Sequence, residues 1–263
     1  MNHGRVIAVR GTTIRIPCSG GETLDVVPEL QQRVEARFTG FADRVRLLHR
    51  AQFKHRVEVI LPRDSVEIEA GLRNARSDVW LDLLGLGFGG LSPGTGGDDF
   101  LVARVEILEF PERLRADLHS SWSDWLGDID PEVALAGTAA DDLVERPETR
   151  ALRNGSLFVV RLVQVHAHFR GQDIGARAVA HALWSLSRAE GDLAMLVVAP
   201  RDGSDGARRD AGRLVGYCER IGLTRAWPDP AEPTPAPVVL YTVLRPGSLP
   251  FSGLGILGVE NRW

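Results

Sequence analysis

The stretch SLFVVRLVQVHAHFRGQDIGARAVAHALW, residues 156–184, decides the fold. Its first part, SLFVVRLVQV, is a continuous apolar run, which predicts a strand buried on both faces. The chain then passes through an Arg-Gly turn. Beyond the turn, Ala178, Val179, Ala182 and Leu183 recur at helical spacing, which predicts an amphipathic helix. The stretch therefore predicts a strand-turn-helix unit.

The segments that follow and precede this unit extend the same pattern. LAMLVVAP predicts a second apolar strand, Gly206 to Ile221 a helix closed by Gly222, and VVLYTVL a last strand. Before the unit, FLVARVEILEF predicts a strong strand ended by Pro111, which begins a helix containing Trp122 and Trp125, and Asp130 caps a second helix.

The N-terminal part is less regular. Residues 5–17 predict one or two short strands. Residues 28–50 carry Leu30, Val34 and Phe38 at helical spacing, which predicts two short helices broken at Gly40. RVEVILP predicts a strand, and a Gly-rich loop between residues 85 and 99 marks the clearest internal break.

Composition excludes several classes of protein. The chain has 263 residues, 44% of them hydrophobic, and a net charge of -4, which indicates a globular protein without a nucleic-acid or membrane surface. The two cysteines, Cys18 and Cys218, lie far apart and favour a reducing cytoplasm. An Arg-rich composition with abundant Ala and Gly suggests a bacterial genome rich in GC.

The Arg-Gly turn has the features of an anion site. The first turn of a helix leaves backbone N–H groups without intrahelical partners, and they carry partial positive charge. Arg170 adds a full charge, and Gln172 offers a further donor. Gly171 and Gly175 lack the Cβ atoms that would hold a phosphate away. We expect the anion to be a pyrophosphate.

This turn resembles a known motif. The run V-x-V-x-x-x-x-R-G-Q-D-I-G-A, Val163 to Ala176, is similar to the acyl-CoA-binding motif of the GNAT superfamily of N-acyltransferases, Arg/Gln-x-x-Gly-x-Gly/Ala. Asp173 departs from it, because it stands where the family has its first glycine. The resemblance implies that coenzyme A binds to Val163, Gln164, Val165, Arg170, Gly171, Gln172, Asp173, Ile174, Gly175 and Ala176.

A second segment, YCERIGL at residues 217–223, resembles the part of the family that often carries a general-acid tyrosine. Aligned on Gly222, that position is Cys218, with Tyr217 one residue earlier. Cys218 shares a helical stripe with Leu214 and Val215, so a small core residue is the alternative to a catalytic thiol. Tyr217 flanks the stripe and could reach a cleft.

The resemblance also implies a reaction. An amine in its neutral form attacks the thioester of acetyl-CoA directly, and backbone N–H groups near Val163 to Val165 polarise the carbonyl. The predicted strand FLVARVEILEF offers Glu106 and Glu109 as general bases. The alternative for both is a solvent-facing or ion-paired carboxylate, with Arg104 or Arg161 as the partner.

The implied fold is of the α/β (α+β) class, with a GNAT-like mixed, mostly antiparallel central sheet flanked by helices. The resemblance covers about residues 100–245 within a domain of residues 61–263. Residues 1–60 form an N-terminal extension, for which an accessory domain, an arm of a homodimer and a substrate-side wall remain open.

Other site types find less support in the sequence. GLGFGG at residues 85–90 and GLGILG at residues 253–258 satisfy a dinucleotide pattern but precede no helix. The H-x-H pair His166 and His168 lacks further ligands at metal-binding spacing, so we expect no metal. Two function classes remain, an acetyl-CoA-dependent N-acetyltransferase and a non-catalytic GNAT-fold acyl-CoA-binding module.

Overall fold

The fold is seen in a computed structural model. It describes residues 5–8, 14–17, 23–38, 51–64, 66–67, 99–111, 121–127, 129–146, 155–200, 202, 204–227, 237–248 and 250–251. Four predictions fall outside these described residues: the Gly-rich loop up to residue 98, the part of the predicted helix in residues 112–120, the second predicted helix of residues 41–50, and Cys18.

Ten strands are found in the described part of the chain. They are β1 (Arg5–Ala8), β2 (Ile14–Pro17), β3 (Thr23–Val26), β4 (Glu29–Phe38), β5 (Ala51–Pro62), β6 (Asp99–Phe110), β7 (Leu157–Val165), β8 (Leu193–Val198), β9 (Thr224–Trp227) and β10 (Val238–Val243). Eight of them form one sheet in the order β1-β4-β5-β6-β7-β8-β10-β9, and β2 pairs with β3 separately. All neighbours in the large sheet are antiparallel except β7 and β8. The prediction of a mixed, mostly antiparallel sheet is therefore confirmed.

Four α-helices with described bounds accompany the sheet. They are α1 (Trp122–Leu126), α2 (Pro131–Glu145), α3 (Ile174–Leu186) and α4 (Asp205–Arg220). Asp130 caps α2 as predicted, because its Oδ1 accepts a hydrogen bond of 2.9 Å from the backbone N–H of Val133. Gly222 follows α4 with a φ of 109°, the left-handed conformation that glycine adopts without steric cost.

The sheet separates two apolar cores. On one face, which we call the α1–α2 face, Leu108 and Phe110 of β6 pack with Trp122 and Leu143. On the other, the α3–α4 face, Val105 and Ile107 of β6 pack with α3, α4, β2 and β3. Strands β6, β7, β8 and β10 supply both cores, because successive side chains alternate between the two faces.

A buried carboxylate ties the loops at the start of β7 and β8. Asp192 is 2% exposed. Its oxygens accept hydrogen bonds from the backbone N–H groups of Ser156, Arg188 and Ala189 at 2.8, 2.9 and 3.2 Å. Its own carbonyl accepts one of 2.8 Å from Leu244. The parallel strands are thereby held together at this end.

The prediction of a helix in residues 28–38 is wrong, because Glu29–Phe38 forms strand β4. Leu30, Val34 and Phe38 are spaced by four, and residues four apart share a face in a strand as well as in a helix. Pairing with β5 along ten residues decides in favour of the strand. The boundary predicted at residue 60 falls inside β5, and strands from both sides of it share one sheet.

Candidate functional site

The parallel strands β7 and β8 part from each other. Their pairing runs from Leu157 with Leu193 to Val160 with Leu196 and stops there. Beyond this point β7 continues to Val165 and β8 to Val198. Arg161 is the extra residue of a bulge in β7, since Val160 and Leu162 face consecutive residues of β6. The departure leaves a gap in the middle of the sheet.

The exposure of β7 follows from this gap. Its first four side chains are buried, whereas the five from Arg161 onwards are exposed or half-buried. The prediction of a strand buried on both faces therefore holds only up to Val160. Beyond it the strand has lost its neighbour on one edge, and 39% of Val163 is exposed.

After β7 the chain makes the turn that leads into α3. A short 3-10 helix, Ala167–Phe169, precedes it. Gly171 has a φ of 83° and Asp173 a φ of 56°, both in the left-handed region. Within the described residues, the backbone N–H groups of residues 171–176 have no hydrogen-bond partner. These groups and the positive end of the α3 dipole face the end of the gap.

Arg170 lies at the mouth of this turn. Its side chain is exposed, and its Nε donates a hydrogen bond of 3.3 Å to the carbonyl oxygen of Val165. This contact fixes the guanidinium against the last residue of β7. The remaining guanidinium N–H groups add a full positive charge to the partial charges of the free backbone N–H groups.

Gln172 does not offer its side chain to the turn. Its Oε1 accepts a hydrogen bond of 2.9 Å from the backbone N–H of Arg15, and its Nε2 donates one of 3.1 Å to the carbonyl of Arg15. The side-chain amide thus pairs with strand β2 as another backbone would. The expectation of a free Gln172 side-chain donor at the anion site is corrected by this contact.

Asp173 points towards α4. It is the N-cap residue of α3, yet its side chain makes no capping hydrogen bond. Instead, the hydroxyl of Tyr217 donates a hydrogen bond of 2.8 Å to Asp173 Oδ1. The carboxylate is therefore held beside residues 171–176, which we call the anion turn after the ligand predicted for it, and it opposes some of the positive charge there.

The two glycines of the turn have different roles. A Cβ on Gly171 would meet nothing within 4 Å, so this glycine is required by its positive φ. A Cβ on Gly175 would lie 2.9 Å from Val163 Cγ1 and 3.0 Å from Val165 Cγ2. The missing Cβ of Gly175 faces β7 rather than a phosphate, which corrects the role expected for it. It lets α3 approach the sheet closely.

A cleft of about 1260 Å³ joins these features. It is lined by every predicted coenzyme-binding residue except Gln172, and by Tyr217 and Cys218. Its walls are the separated parts of β7 and β8, the turn and the facing side of α4. Residues that are far apart in sequence, from the turn, α3 and α4, therefore line one cavity. Its volume is sufficient for a large ligand.

Glu106 and Glu109 do not line the cleft. An odd spacing along a strand places them on opposite faces of β6. Lys54 Nζ lies 2.8 Å from Glu106 Oε2, and Arg56 Nη2 lies 3.4 Å from Glu106 Oε1. His55 Nε2 lies 2.7 Å from Glu109 Oε2. Both carboxylates are paired with side chains of β5, whereas Arg104 pairs with Glu58 and Arg161 with Asp130.

The charge of Glu106 is stabilised by these partners. Burial by itself raises the pKa of Glu106, but the hydrogen bond and charge of Lys54, with those of Arg56, outweigh it, and the pKa is lowered. A general base for an amine needs a pKa near the working pH. The environment of Glu106 instead lowers its pKa, which takes it further from neutral pH.

Tyr217 and Cys218 lie on α4 beside the cleft. Burial, followed by the hydrogen bond to Asp173, raises the pKa of Tyr217 well above its usual value. Burial, followed by the charge of Glu219, raises the pKa of Cys218 to about 11. Cys218 is 4% exposed and packs in the core of the α3–α4 face. Both side chains hold their protons tightly.

Several residues of the cleft were not predicted from the sequence. The start of α4 contributes Ser204, Gly206 and Ala207, and the segment after β10 contributes Phe251. Ser204 is a serine before a helical pattern, the usual signal for a helix start, and its Oγ accepts a 3.2 Å hydrogen bond from the Ala207 N–H. Phe251 carried no local signal.

Metal-binding clusters and membrane-spanning helices are absent from the described residues. Among these residues, no group of three His, Cys, Asp or Glu side chains could hold a metal ion. His166 Nδ1 accepts a 3.3 Å hydrogen bond from the backbone N–H of His168. No helix in the same part of the chain has both the length and the apolar character needed to cross a bilayer.

Comparisons with known proteins give no family for the chain. No protein-family model matches it, and no curated protein sequence matches it. The case for a function therefore depends on the geometry of the cleft.

Proposed function

We propose that the chain is a GNAT-type N-acetyltransferase, which moves an acetyl group from acetyl-CoA to the amine of a small molecule or a protein. The observation that carries the proposal is the continuity of the cleft. The gap between β7 and β8 opens where their pairing ends at Val160, and it leads to the free N–H groups of residues 171–176.

The turn supplies the site for the diphosphate of coenzyme A. Free N–H groups at a helix start attract phosphate oxygens through hydrogen bonds and through the helix dipole. Arg170 adds a charge that can be shared between two phosphate oxygens. Gly175 keeps α3 against β7, so that the turn lies directly at the end of the gap.

The open edge of β7 supplies the site for the pantetheine arm. From Arg161 to Val165 this edge has no paired strand, because β8 has departed. Backbone N–H and C=O groups that lack a strand partner are satisfied by an extended ligand carrying amides, as when a peptide adds to a sheet edge. The exposed side chain of Val163 packs on the apolar part of such an arm.

The reaction joins the amine nitrogen to the acyl carbon and breaks the bond between that carbon and sulfur. Backbone N–H groups of Val163 to Val165 polarise the carbonyl. The amine enters without its extra proton, loses one proton to solvent after attack, and the departing sulfur receives one. Glu106 and Glu109 take no part in this scheme, because their side chains are paired outside the cleft.

Calorimetric titration tests the proposal. Coenzyme A, acetyl-CoA and desulfo-CoA are expected to bind to the wild type, and Arg170→Glu to weaken each of them at least about tenfold, because an attractive charge becomes repulsive. Arg188→Glu is the matched control, since Arg188 is exposed at the other end of α3 and does not line the cleft. Equal binding by both variants, or no binding at millimolar ligand, contradicts the proposal.

A non-catalytic acyl-CoA-binding module is the second candidate. The observation that favours it is that every predicted catalytic side chain is already ion-paired, hydrogen-bonded or buried. Glu106 and Glu109 are paired with side chains of β5, the hydroxyl of Tyr217 donates a hydrogen bond to Asp173, and Cys218 is buried. Thiol release from acetyl-CoA over a panel of amines separates the candidates. Turnover supports the transferase, whereas tight binding without release from any amine supports the module.

A further inference from the structure

Asp173 is an exception among the starts of the four helices α1–α4. The other three of these helices begin at Ser121, Asp130 and Ser204, each in an extended conformation. Each accepts a hydrogen bond from the backbone N–H three residues later. Asp173 has an equally good capping side chain but a φ of 56° and no capping hydrogen bond.

The missing cap leaves an N–H group available. By the pattern of the other helices, the Asp173 carboxylate would accept from the N–H of Ala176, which belongs to the free group of the anion turn. A carboxylate placed there would occupy the donor and neutralise the helix start. An aspartate at this position can therefore close the very site in which it lies.

Two contacts hold the turn in its open form. The hydroxyl of Tyr217 binds Asp173 Oδ1 at 2.8 Å, from α4. On the other side, the amide of Gln172 is fixed to the backbone of Arg15, on β2. A non-glycine residue in the left-handed region costs free energy and persists where its surroundings hold it. The hydrogen bond to Tyr217 is the direct hold on the side chain.

We propose that Tyr217 is a positioning residue, which draws Asp173 away from the start of α3 and so keeps the anion site open. The inference rests on the proposed function, because the anion is taken to be the diphosphate of coenzyme A. It assigns Tyr217 to binding rather than to proton transfer. It also explains how the turn accommodates Asp173. A glycine at this position would have no side chain that could block the N–H groups, whereas the carboxylate of Asp173 has to be held away from them.

Tyr217→Phe tests the inference. Without the hydroxyl, Asp173 turns to cap Ala176, and the ligand must displace a cap. We expect the affinity for coenzyme A to fall about fivefold, the factor that corresponds to a typical cap of about 1 kcal/mol. In the Asp173→Gly background no carboxylate is present, and Tyr217→Phe should then have no effect. Tyr241→Phe is the matched control, because Tyr241 is the only other tyrosine of the chain and does not line the cleft.

Amide hydrogen exchange measured by NMR gives a readout without ligand. The N–H of Ala176 should exchange more slowly in Tyr217→Phe than in the wild type and return to fast exchange in the double variant with Asp173→Gly. Unchanged exchange with affinity within twofold of the wild type overturns the inference, as does a loss of affinity that persists in the Asp173→Gly background. If the Ala176 N–H exchanges more slowly in Tyr217→Phe but the wild type binds no coenzyme A, the inference about Tyr217 is supported and the proposed function is contradicted.

Discussion

Replacing Gly175 with alanine tests the contact that places the anion turn against the sheet. The added methyl group would lie 2.9 Å from Val163 Cγ1 and 3.0 Å from Val165 Cγ2. Both neighbours are β-branched side chains on a strand, and they have little freedom to move away. Helix α3 must therefore shift from β7, or the strand must deform.

The expected loss follows from two opposing effects. Overpacking of a close contact costs about 1–3 kcal/mol. Replacing glycine by alanine in a helix gains at most about 1 kcal/mol. The central values, about 2 kcal/mol lost and just under 1 kcal/mol gained, leave a loss of about 1 kcal/mol in the free energy of unfolding, together with weaker binding of coenzyme A as the turn moves away from β7.

Gly212→Ala is the matched control. Gly212 lies inside α4, and a Cβ there would meet nothing within 4 Å. We expect this variant to gain about 0.5–1 kcal/mol and to bind coenzyme A as the wild type does. Urea denaturation of the three proteins measures the difference. A Gly175→Ala variant as stable as the wild type would refute the packing role assigned to Gly175.

Three further predictions concern buried groups. Asp192→Ala should lower the free energy of unfolding by about 2 kcal/mol in urea denaturation, because three partly buried N–H groups lose an acceptor that is itself buried. A loss of less than half of this value would contradict the role assigned to Asp192. With Cys18 replaced by serine, the native thiol of Cys218 should react at pH 8 with an alkylating reagent about a hundredfold more slowly than a free cysteine, since its pKa is raised to about 11. Rapid alkylation would show that the side chain is accessible as a thiolate. Glu106→Gln should lower the free energy of unfolding at pH 7. The difference in this free energy between variant and wild type should shrink as the pH falls below about 4.5, because the lowered pKa of Glu106 gives stability only where the carboxyl is ionised. A difference that stays constant between pH 7 and pH 3.5 argues against the pairing with Lys54.

The strands and helices of the C-terminal half were predictable because their signals are local. Apolar runs such as FLVARVEILEF and LAMLVVAP are bounded by proline or glycine, and β6 and β8 lie where these runs predict them. Strand β4 was not predictable in this way, since Leu30, Val34 and Phe38 satisfy both periods. Only the pairing of β4 with β5 decides between a helix and a strand for these residues.

The candidate site was predictable in position but not in detail. The turn after β7 follows from the sequence, and the residues named for it line one cleft, apart from Gln172. The partners of Gln172 and Asp173 lie 157 and 44 residues away, so no local pattern contains them. The opposite faces of Glu106 and Glu109 follow from their odd spacing on a strand, but their partners Lys54 and His55 depend on the register of β5.

In the function proposed above, the N–H groups after β7 bind the diphosphate of a thioester carrier. The most direct test is a titration of the isotopically labelled protein with coenzyme A, followed amide by amide in 1H–15N NMR spectra. We predict that the largest shifts occur at residues 171–176 and along the open edge of β7 from Val163 to Val165. Spectra that do not change at millimolar coenzyme A, or shifts confined to residues away from this cleft, would contradict the account.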